Sequence, residues 1–176
     1  LSAMAKKNNN DDMIKYLSGM KDFMLNPKEY STTGNQEIDG VLNYMLQKAN
    51  KTLNQVDVQI NIPEDLYFNN FNICVILGNL VDNAVREASK SKEKLLTIKM
   101  QIKQEVLLIF IENSYSGKIL EKRNGLQTTQ PELAIHGIGL ENVKKVIIAN
   151  GGEIKIDYTS NRFCVQVLLY MSRIKN

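Results

Sequence analysis

The chain has 176 residues, 43% of them hydrophobic and 23% charged, a balance that allows one buried core. Its net charge of +3 is small and its basic residues are scattered, so a nucleic-acid surface is not expected. The longest uninterrupted apolar run, Val106 to Ile111, is far shorter than the roughly 20 residues of a membrane span, and the N-terminus lacks the apolar core of a signal peptide. We therefore expect a soluble domain without membrane contact.

The N-terminal part of the chain divides into two segments. Residues 1–10 carry little information and are expected to be disordered or a cloning remnant. Residues 11–25 have apolar side chains at helical spacing, and Asn26-Pro27 ends the pattern, which predicts a short amphipathic helix. The main domain is expected to follow, over residues 30–176.

The main domain opens with alternating helix and strand patterns. A second helix is predicted from Ile38 to Leu53, and a strand from Val56 to Ile60. A third helix is predicted from about Phe71 to Lys90. Strands at 95–103 and 106–111 come next, because apolar residues there alternate or run together over short lengths.

A polar region from Asn113 to Ile135 has little periodicity and predicts a long loop of the kind that serves as a lid. A fourth helix is predicted from Ile138 to the Asn-Gly-Gly stop at 150–152, and two strands, 154–158 and 163–169, end the chain. This order favours an α+β two-layer sandwich, with helices on one face of a mixed, mostly antiparallel sheet.

Two cysteines, Cys74 and Cys164, lie within apolar segments. No second cluster of possible ligands accompanies them, so neither a disulfide nor a metal site is expected. We interpret both as buried thiols in a reducing cytosol.

The third helix carries an unusual polar row opposite its apolar stripe. Asn79, Asn83, Arg86 and Lys90 recur at i, i+4, i+7 and i+11, and so share one side of the helix. A solvated surface is the simpler interpretation, although two stacked asparagines lower helix propensity for no gain in packing. The alternative is an anion and metal site, since an amide oxygen can ligate Mg²⁺ and a guanidinium donates to phosphate.

Two further segments have a functional and an ordinary interpretation. The sequence His-Gly-Ile-Gly at 136–139 leads into the fourth helix, and backbone N–H groups at such a place can approach phosphate closely. A flexible lead into a helix explains it equally well. Asn113 ends an apolar strand, where its carbonyl oxygen can meet an exocyclic amino group such as that of adenine, or where it simply belongs to a turn.

Three motifs, in this order, resemble the GHKL ATPase superfamily and its Bergerat nucleotide-binding fold. They are GNLVDNAVREA (78–88) as the N box, IENSYSG (111–117) at the first glycine box and HGIGLENVKKV (136–146) as the second. The resemblance narrows to the ATP-binding domain of sensor histidine kinases, in the group of the staphylococcal quorum-sensing kinase and similar clostridial sensors. That group's lead-in resembles three segments here, Thr33-Gly34-Asn35, Ile38-Asp39 and Leu42-Asn43-Tyr44.

The resemblance implies roles for the N box. Asn83 corresponds to the Mg²⁺ ligand, and Asn79 to a partner amide one turn earlier; both are candidate catalytic residues. Arg86 lies where related kinases often have a phosphate-binding lysine. ATP-hydrolysing relatives have a glutamate at the position of Asn79 that activates water, and an amide cannot do this. The resemblance therefore implies phosphoryl transfer to a supplied nucleophile.

It also implies roles for the glycine boxes. Gly137 and Gly139 would hold the triphosphate with Leu140 beside them, His136 would contact phosphate or lid, and Asn113 would meet adenine. The segment from about Ser116 to Ile135 would be the ATP lid. Two positions depart from the usual pattern, which has aspartate in place of Asn113 and glycine in place of Tyr115.

A histidine kinase needs an accepting histidine, and the single histidine here, His136, lies in a glycine box. The chain is thus expected to bind ATP with Mg²⁺ but to lack the acceptor, with residues 11–29 as part of the dimerisation hairpin. The implied partners are a histidine-bearing dimerisation helix and a response regulator, in a full-length homodimer anchored in the membrane with this domain in the cytoplasm. Two alternatives are a degenerate nucleotide-binding regulatory module, suggested by Asn113 and Tyr115, and an anti-sigma-type serine kinase, which the lack of a glutamate at position 79 disfavours.

Overall fold

The computed structural model describes residue 31 and residues 33–64, 66, 68–116, 119–122, 125–128 and 134–170; for 119–122, 125–128 and 134–139 it describes the backbone alone. The predicted helix over residues 11–25 lies outside these residues. Within the described part of the chain there are three helices: α1 (Gln36–Thr52), α2 (Asn70–Lys90) and α3 (Ala134–Ala149). The seven strands of this part are β1 (Gln55–Asn61), β2 (Leu95–Lys103), β3 (Val106–Ser114), β4 (Ile119–Lys122), β5 (Gly125–Thr128), β6 (Glu153–Tyr158) and β7 (Arg162–Tyr170).

Five of the strands form one sheet in the order β1-β2-β3-β7-β6. Strands β1 and β2 are parallel, and every other neighbouring pair in this sheet is antiparallel. A two-residue turn joins β2 to β3, with positive φ at both Gln104 and Glu105, as a twisted hairpin requires. The predicted mixed, mostly antiparallel sheet is confirmed.

The helices cover one face of this sheet. Along β2, β3 and β7 the buried side chains alternate with less buried ones, so that one face is apolar. That face carries Leu96, Ile98, Met100, Leu107, Ile109, Ile111, Val165, Val167 and Leu169. They join the apolar sides of α1 and α2 in a single core cluster, which confirms the two-layer α+β architecture.

Helix α2 forms where its sequence predicts. Asn69 caps its first turn, because the Asn69 side chain accepts a hydrogen bond from the backbone N–H of Asn72. The helix ends at Lys90, after which Ser91 takes an extended conformation. Across the described residues, no helix is both long and apolar enough to traverse a lipid bilayer.

The predicted loop from Asn113 to Ile135 differs from the structure. Strand β3 continues through Ser114, since Asn113 pairs with Leu96 and Phe163 and Ser114 pairs with Arg162. Strands β4 and β5 form a separate antiparallel hairpin within the predicted loop. Each of these strands has only four residues, ILEK and GLQT, without apolar alternation, so a hydrophobicity pattern does not indicate them although their backbones pair.

Helix α3 also begins earlier than predicted, at Ala134 instead of Ile138. Its first turns therefore include Gly137 and Gly139, which the sequence assigned to a loop before the helix. Glycine is an unfavourable helix residue, so its presence pointed to a later start. The helix ends as predicted, where the N–H groups of Gly151 and Gly152 bond to carbonyl oxygens of the last turn.

Candidate functional site

Helix α2 presents its polar row beside a fully buried face. The buried face consists of Ile73, Ile76, Leu77, Leu80, Val81, Ala84, Val85 and Ala88. Asn79, Asn83 and Arg86 are each half-buried, and their spacing brings them to the same side of the helix. The row therefore lies between the buried core and the solvent, and its polar groups are partly desolvated.

Asn79 uses its amide nitrogen within its own helix. The Nδ2 group donates to the carbonyl oxygen of Val75 at 2.8 Å, one turn earlier. The side-chain oxygen is then the group that Asn79 can offer to a ligand. An amide oxygen accepts hydrogen bonds but does not take a proton at neutral pH, so Asn79 cannot serve as a general base.

Asn83 and Arg86 are joined by a hydrogen bond. The guanidinium Nη2 of Arg86 donates to Oδ1 of Asn83, and Nη1 lies 3.5 Å from a carboxylate oxygen of Asp82. The oxygen that the resemblance assigns to Mg²⁺ is therefore held by a cation of the protein itself. A metal ion at Oδ1 would repel the guanidinium, so Arg86 has to turn away when a metal binds.

Arg86 also keeps one donor unused. Its Nε is buried, and it is one of two buried side-chain polar atoms without a hydrogen-bond partner in the described part of the chain. The nearest carboxylate oxygen, Oε1 of Glu87, lies 3.6 Å away, which is too far for a good hydrogen bond. A buried unpaired donor is costly, and an incoming anion would satisfy it.

Charged residues of two helices surround this pair. Oδ1 of Asp82 accepts a hydrogen bond of 2.5 Å from Nζ of Lys48 on α1, and Nζ of Lys90 lies 3.2 Å from Oε1 of Glu87. Burial and then the charge of Asp82 raise the pKa of the hydroxyl of Tyr44 on α1. The i, i+4 spacing of Asp82 and Arg86 indicates their contact in the sequence, whereas nothing indicates the contact of Asp82 with Lys48, 34 residues earlier.

The end of strand β3 lies against the C-terminal end of α2. The hydroxyls of Ser91 and Ser114 are 2.6 Å apart, and Ser116 donates to the carbonyl oxygen of Lys90 at 3.3 Å. The structure therefore brings the N-box helix and the IENSYSG segment together, as the predicted site needs.

Asn113 is buried at this junction, with 3% of its surface exposed. Its amide nitrogen donates to the backbone oxygen of Ser114 at 2.8 Å, which orients the side chain. Tyr115 is also buried, with its ring centre 6.4 Å from that of Phe163. Tyr115 is the aromatic residue that stands where the usual pattern has glycine, and burial and then the charge of Glu87 raise the pKa of its hydroxyl.

Helix α3 lies beside α2 with its C-terminal end at the start of α2. Nδ2 of Asn72 donates to Oδ1 of Asn150 at 3.0 Å, and the two helices contact each other. The C-terminal end of α3 is therefore attached to the first turn of α2. The backbone of His136, Gly137 and Gly139 belongs to the first turns of α3, and the side chain of His136 lies outside what the structure describes.

Leu140, the remaining predicted contact, is half-buried and packs against the core. The structure thus gives Leu140 a packing role. The two cysteines are free, as predicted, but they are half-buried rather than buried. Their partial burial is the main cause that raises the pKa of each thiol.

The donor set suits Mg²⁺ bound together with phosphate. Among the described residues no cluster of three His, Cys, Asp or Glu side chains could hold a metal ion. Mg²⁺ in phosphate-bearing sites commonly takes only one or two protein ligands and completes its shell with phosphate oxygens and water. The Asn83 oxygen, with the unpaired Nε of Arg86 beside it, fits such a site.

Comparison with known proteins identifies a family for most of the chain. The family model described as GHKL domain matches residues 68–170. No curated protein matches the chain.

Solved structures of histidine kinases have a similar fold. Histidine kinase AdeS of Acinetobacter baumannii has a TM-score of 0.61 and 16% identity, with 97% of this chain and 84% of that chain covered. The catalytic domain of histidine kinase ThkA has a TM-score of 0.57 and 17% identity, with 82% and 96% covered. The mycobacterial sensor histidine kinase MprB has a TM-score of 0.52 and 15% identity, with 76% and 95% covered.

Proposed function

The chain belongs to the GHKL domain family, and on that premise we propose that it is the ATP-binding catalytic domain of a sensor histidine kinase. It would transfer the γ-phosphate of ATP to a histidine on a dimerisation helix. The observation that carries the proposal is the row of Asn79, Asn83 and Arg86 on α2, the helix after whose C-terminal end Ser91 bonds to Ser114 at the end of β3. The similar folds of three histidine kinases support it.

Each residue of the row would have a separate task. Asn83 would hold Mg²⁺ through Oδ1, and Arg86, released from that oxygen, would donate to phosphate oxygens with its fork of N–H groups. When bound, Mg²⁺ would offset negative charge on the phosphates. Asn79 would orient ligands without activating water, which leaves an imidazole nitrogen, already nucleophilic, as the better acceptor.

The backbone of other segments would complete the site. Gly137 and Gly139, at the N-terminal end of α3, would lie near the triphosphate, with His136 at the lid or phosphate. Asn113 would meet adenine, and residues 116–135, which include the β4–β5 hairpin, would form the lid.

The remaining parts of the proposal concern the longer protein. Residues 11–29 would belong to the dimerisation hairpin of a homodimer, as in the quorum-sensing group that the motifs resemble. A membrane anchor outside this domain, a cytoplasmic site of action and a response regulator as the final phosphate acceptor follow from the same resemblance.

Transfer to a separate acceptor tests the proposal. The chain is mixed with Mg-ATP and a histidine-bearing dimerisation helix made separately, and acid-labile, alkali-stable phosphate on that helix is measured. We expect phosphohistidine with the intact helix and none when its histidine is replaced by alanine. Absence of phosphohistidine, with the chain folded and ATP bound, would contradict the proposal.

A regulatory nucleotide-binding module is the second candidate. Two observations favour it: buried Asn113 and Tyr115 stand where the usual pattern has aspartate and glycine, and Arg86 holds the Asn83 oxygen. Calorimetry with ATP analogues and Mg²⁺ separates the candidates, because tight binding without transfer to any acceptor supports the module. Phosphoserine on a partner protein would instead support an anti-sigma-type serine kinase.

A further inference from the structure

Arg86 is weakly bonded although two carboxylates stand beside it. Its Nη1 lies 3.5 Å from Oδ2 of Asp82, and its Nε lies 3.6 Å from Oε1 of Glu87. Both distances are longer than those of ordinary hydrogen bonds, which are roughly 2.7–3.2 Å. The Nη2 group bonds to Oδ1 of Asn83, a neutral amide oxygen, while Nε stays buried without a partner. The guanidinium therefore keeps unused capacity for an anion.

Each of the two carboxylates is paired more closely with a lysine. Nζ of Lys48, on α1, donates to Oδ1 of Asp82 at 2.5 Å. Nζ of Lys90 lies 3.2 Å from Oε1 of Glu87, the same oxygen that lies 3.6 Å from Nε of Arg86. The lysines thus offset the carboxylate charges that would otherwise attract the guanidinium.

Asp82 would be the stronger partner of Arg86 if Lys48 were absent. The two residues are four positions apart on α2, a spacing at which opposite charges meet. A carboxylate can accept an arginine fork through two parallel charge-assisted bonds, which an amide oxygen cannot do. Without Lys48, Asp82 would therefore draw the guanidinium to itself and compete with an incoming phosphate.

The packing of α1 places Lys48 beside Asp82. The neighbouring residue Ala49 has no exposed surface, and Met45, one turn earlier, has 2%. Both belong to the core that α1 shares with α2, so the backbone at residue 48 is fixed relative to α2. The Lys48 side chain itself is 50% exposed, and it reaches Asp82 along the surface.

We propose that Lys48 is a positioning residue for phosphate binding, because it neutralises Asp82 and so keeps the Arg86 fork available. This inference rests on the proposed function, in which Arg86 donates to phosphate oxygens. The five charged side chains of the group are three cations and two carboxylates, so one positive charge remains. With both lysines paired, that charge is on Arg86.

Charge-matched variants separate this role from folding and from a general effect of charge. Lys48→Gln removes the ion pair with Asp82, whereas Lys48→Arg retains it. Lys51→Gln is the control, because it removes the same charge from an exposed residue in the last turn of the same helix. These side chains are at the surface, so the variants should remain folded. Asp82→Asn removes the competing carboxylate without altering Lys48.

Calorimetry measures the affinity of each variant for Mg-ATP. Lys48→Gln should lower the affinity by about threefold, the effect of a partly exposed ion pair. Lys48→Arg, Lys51→Gln and Asp82→Asn should not lower it. In a chain that already carries Asp82→Asn or Arg86→Gln, Lys48→Gln should cause no further loss, because the residue through which Lys48 acts is gone.

Nuclear magnetic resonance reports the partner of Arg86 before any ligand binds. The Nε–H resonance of Arg86 is assigned by its disappearance in Arg86→Gln. It should shift in Lys48→Gln, where the guanidinium turns to Asp82, and it should stay in place in Lys51→Gln. The same position of this resonance in Lys48→Gln and in the unaltered chain would overturn the inference.

The binding measurements can overturn the inference independently. An unchanged affinity in Lys48→Gln, or a loss that persists in the Asp82→Asn or Arg86→Gln background, would contradict the positioning role. Weaker binding in Asp82→Asn alone would also contradict it, since Asp82 would then support the site, and this arm stays decisive if Lys48→Gln fails to fold. All of these outcomes leave the proposed function standing. Absence of Mg-ATP binding by the unaltered chain would reject the proposed function, and this inference with it.

Discussion

Asn83 and Arg86 share one hydrogen bond that a bound metal would have to break. The Arg86 side chain has 33% of its surface exposed, so turning the guanidinium towards solvent or phosphate costs little beyond the loss of that hydrogen bond. The Arg86–Asn83 bond has one ionised partner, whereas a contact between the arginine fork and phosphate has two ionised partners and can be bidentate, so it is the stronger interaction. The exchange from Asn83 to phosphate is therefore favourable, and it leaves the amide oxygen for the metal.

Replacing Asn83 by alanine should abolish Mg-ATP binding. The free energy of unfolding should change by less than about 1 kcal/mol, because the side chain is half-buried and alanine favours a helix. Calorimetry and chemical denaturation measure the two effects, with Asn72→Ala on the same helix as the control. Undiminished affinity in Asn83→Ala would show that this oxygen does not hold the metal.

Replacing Arg86 by glutamine should lower ATP affinity by about tenfold or more, since charge-assisted hydrogen bonds contribute roughly 1.5–3 kcal/mol. Arg86→Lys keeps the charge but lacks the fork and should lose less. Calorimetry at low and high salt measures both, and the salt dependence should weaken in the glutamine variant. Equal affinities for all three proteins would remove Arg86 from the site.

At the level of secondary-structure elements, both ends of α2 were predicted to within one residue, because its apolar stripe and its end signals are encoded in the local sequence. The hydrogen bonds of Asn43 with the backbone of Ser31 were not predictable, since nothing in the spacing of residues 31 and 43 shows that they meet. Strands β4 and β5 were not predicted, because hydrophobic alternation is the sequence signal for a strand and their residues do not alternate. The position of the site row was predictable, whereas the contact of Asp82 with Lys48 depends on how α1 packs against α2.

The two sides of α2 should respond very differently to truncation. Leu77 is fully buried, and Leu77→Ala should lower the free energy of unfolding by about 2–5 kcal/mol through the cavity it leaves. Phe71, with 74% of its surface exposed, is larger, yet Phe71→Ala should cost less than about 0.5 kcal/mol. Urea denaturation measures both, and similar losses would contradict the assigned burial.

For the whole molecule, α1 is part of the core although it lies outside the segment that the GHKL model matches. Ile38, Leu42 and Leu46 have no exposed surface, so removing α1 would uncover the apolar face of α2. A chain limited to residues 68–170 should therefore melt without cooperativity and bind a hydrophobic dye, whereas residues 31–176 should melt cooperatively. Thermal scans by circular dichroism measure this, and a sharp transition in the shorter chain would show that α1 is dispensable.

The parallel pairing of β1 with β2 determines when the site can assemble. Gln55 pairs with Leu95, so the chain must cross the sheet between these strands, and α2 makes that crossing. Distant strands find each other more slowly than the two arms of a hairpin such as β2–β3. In a refolding reaction, ATP binding should therefore return in the slowest phase, after the β2–β3 hairpin has formed. The asparagine row reaches its final position only when β1 pairs with β2 at the edge of the sheet.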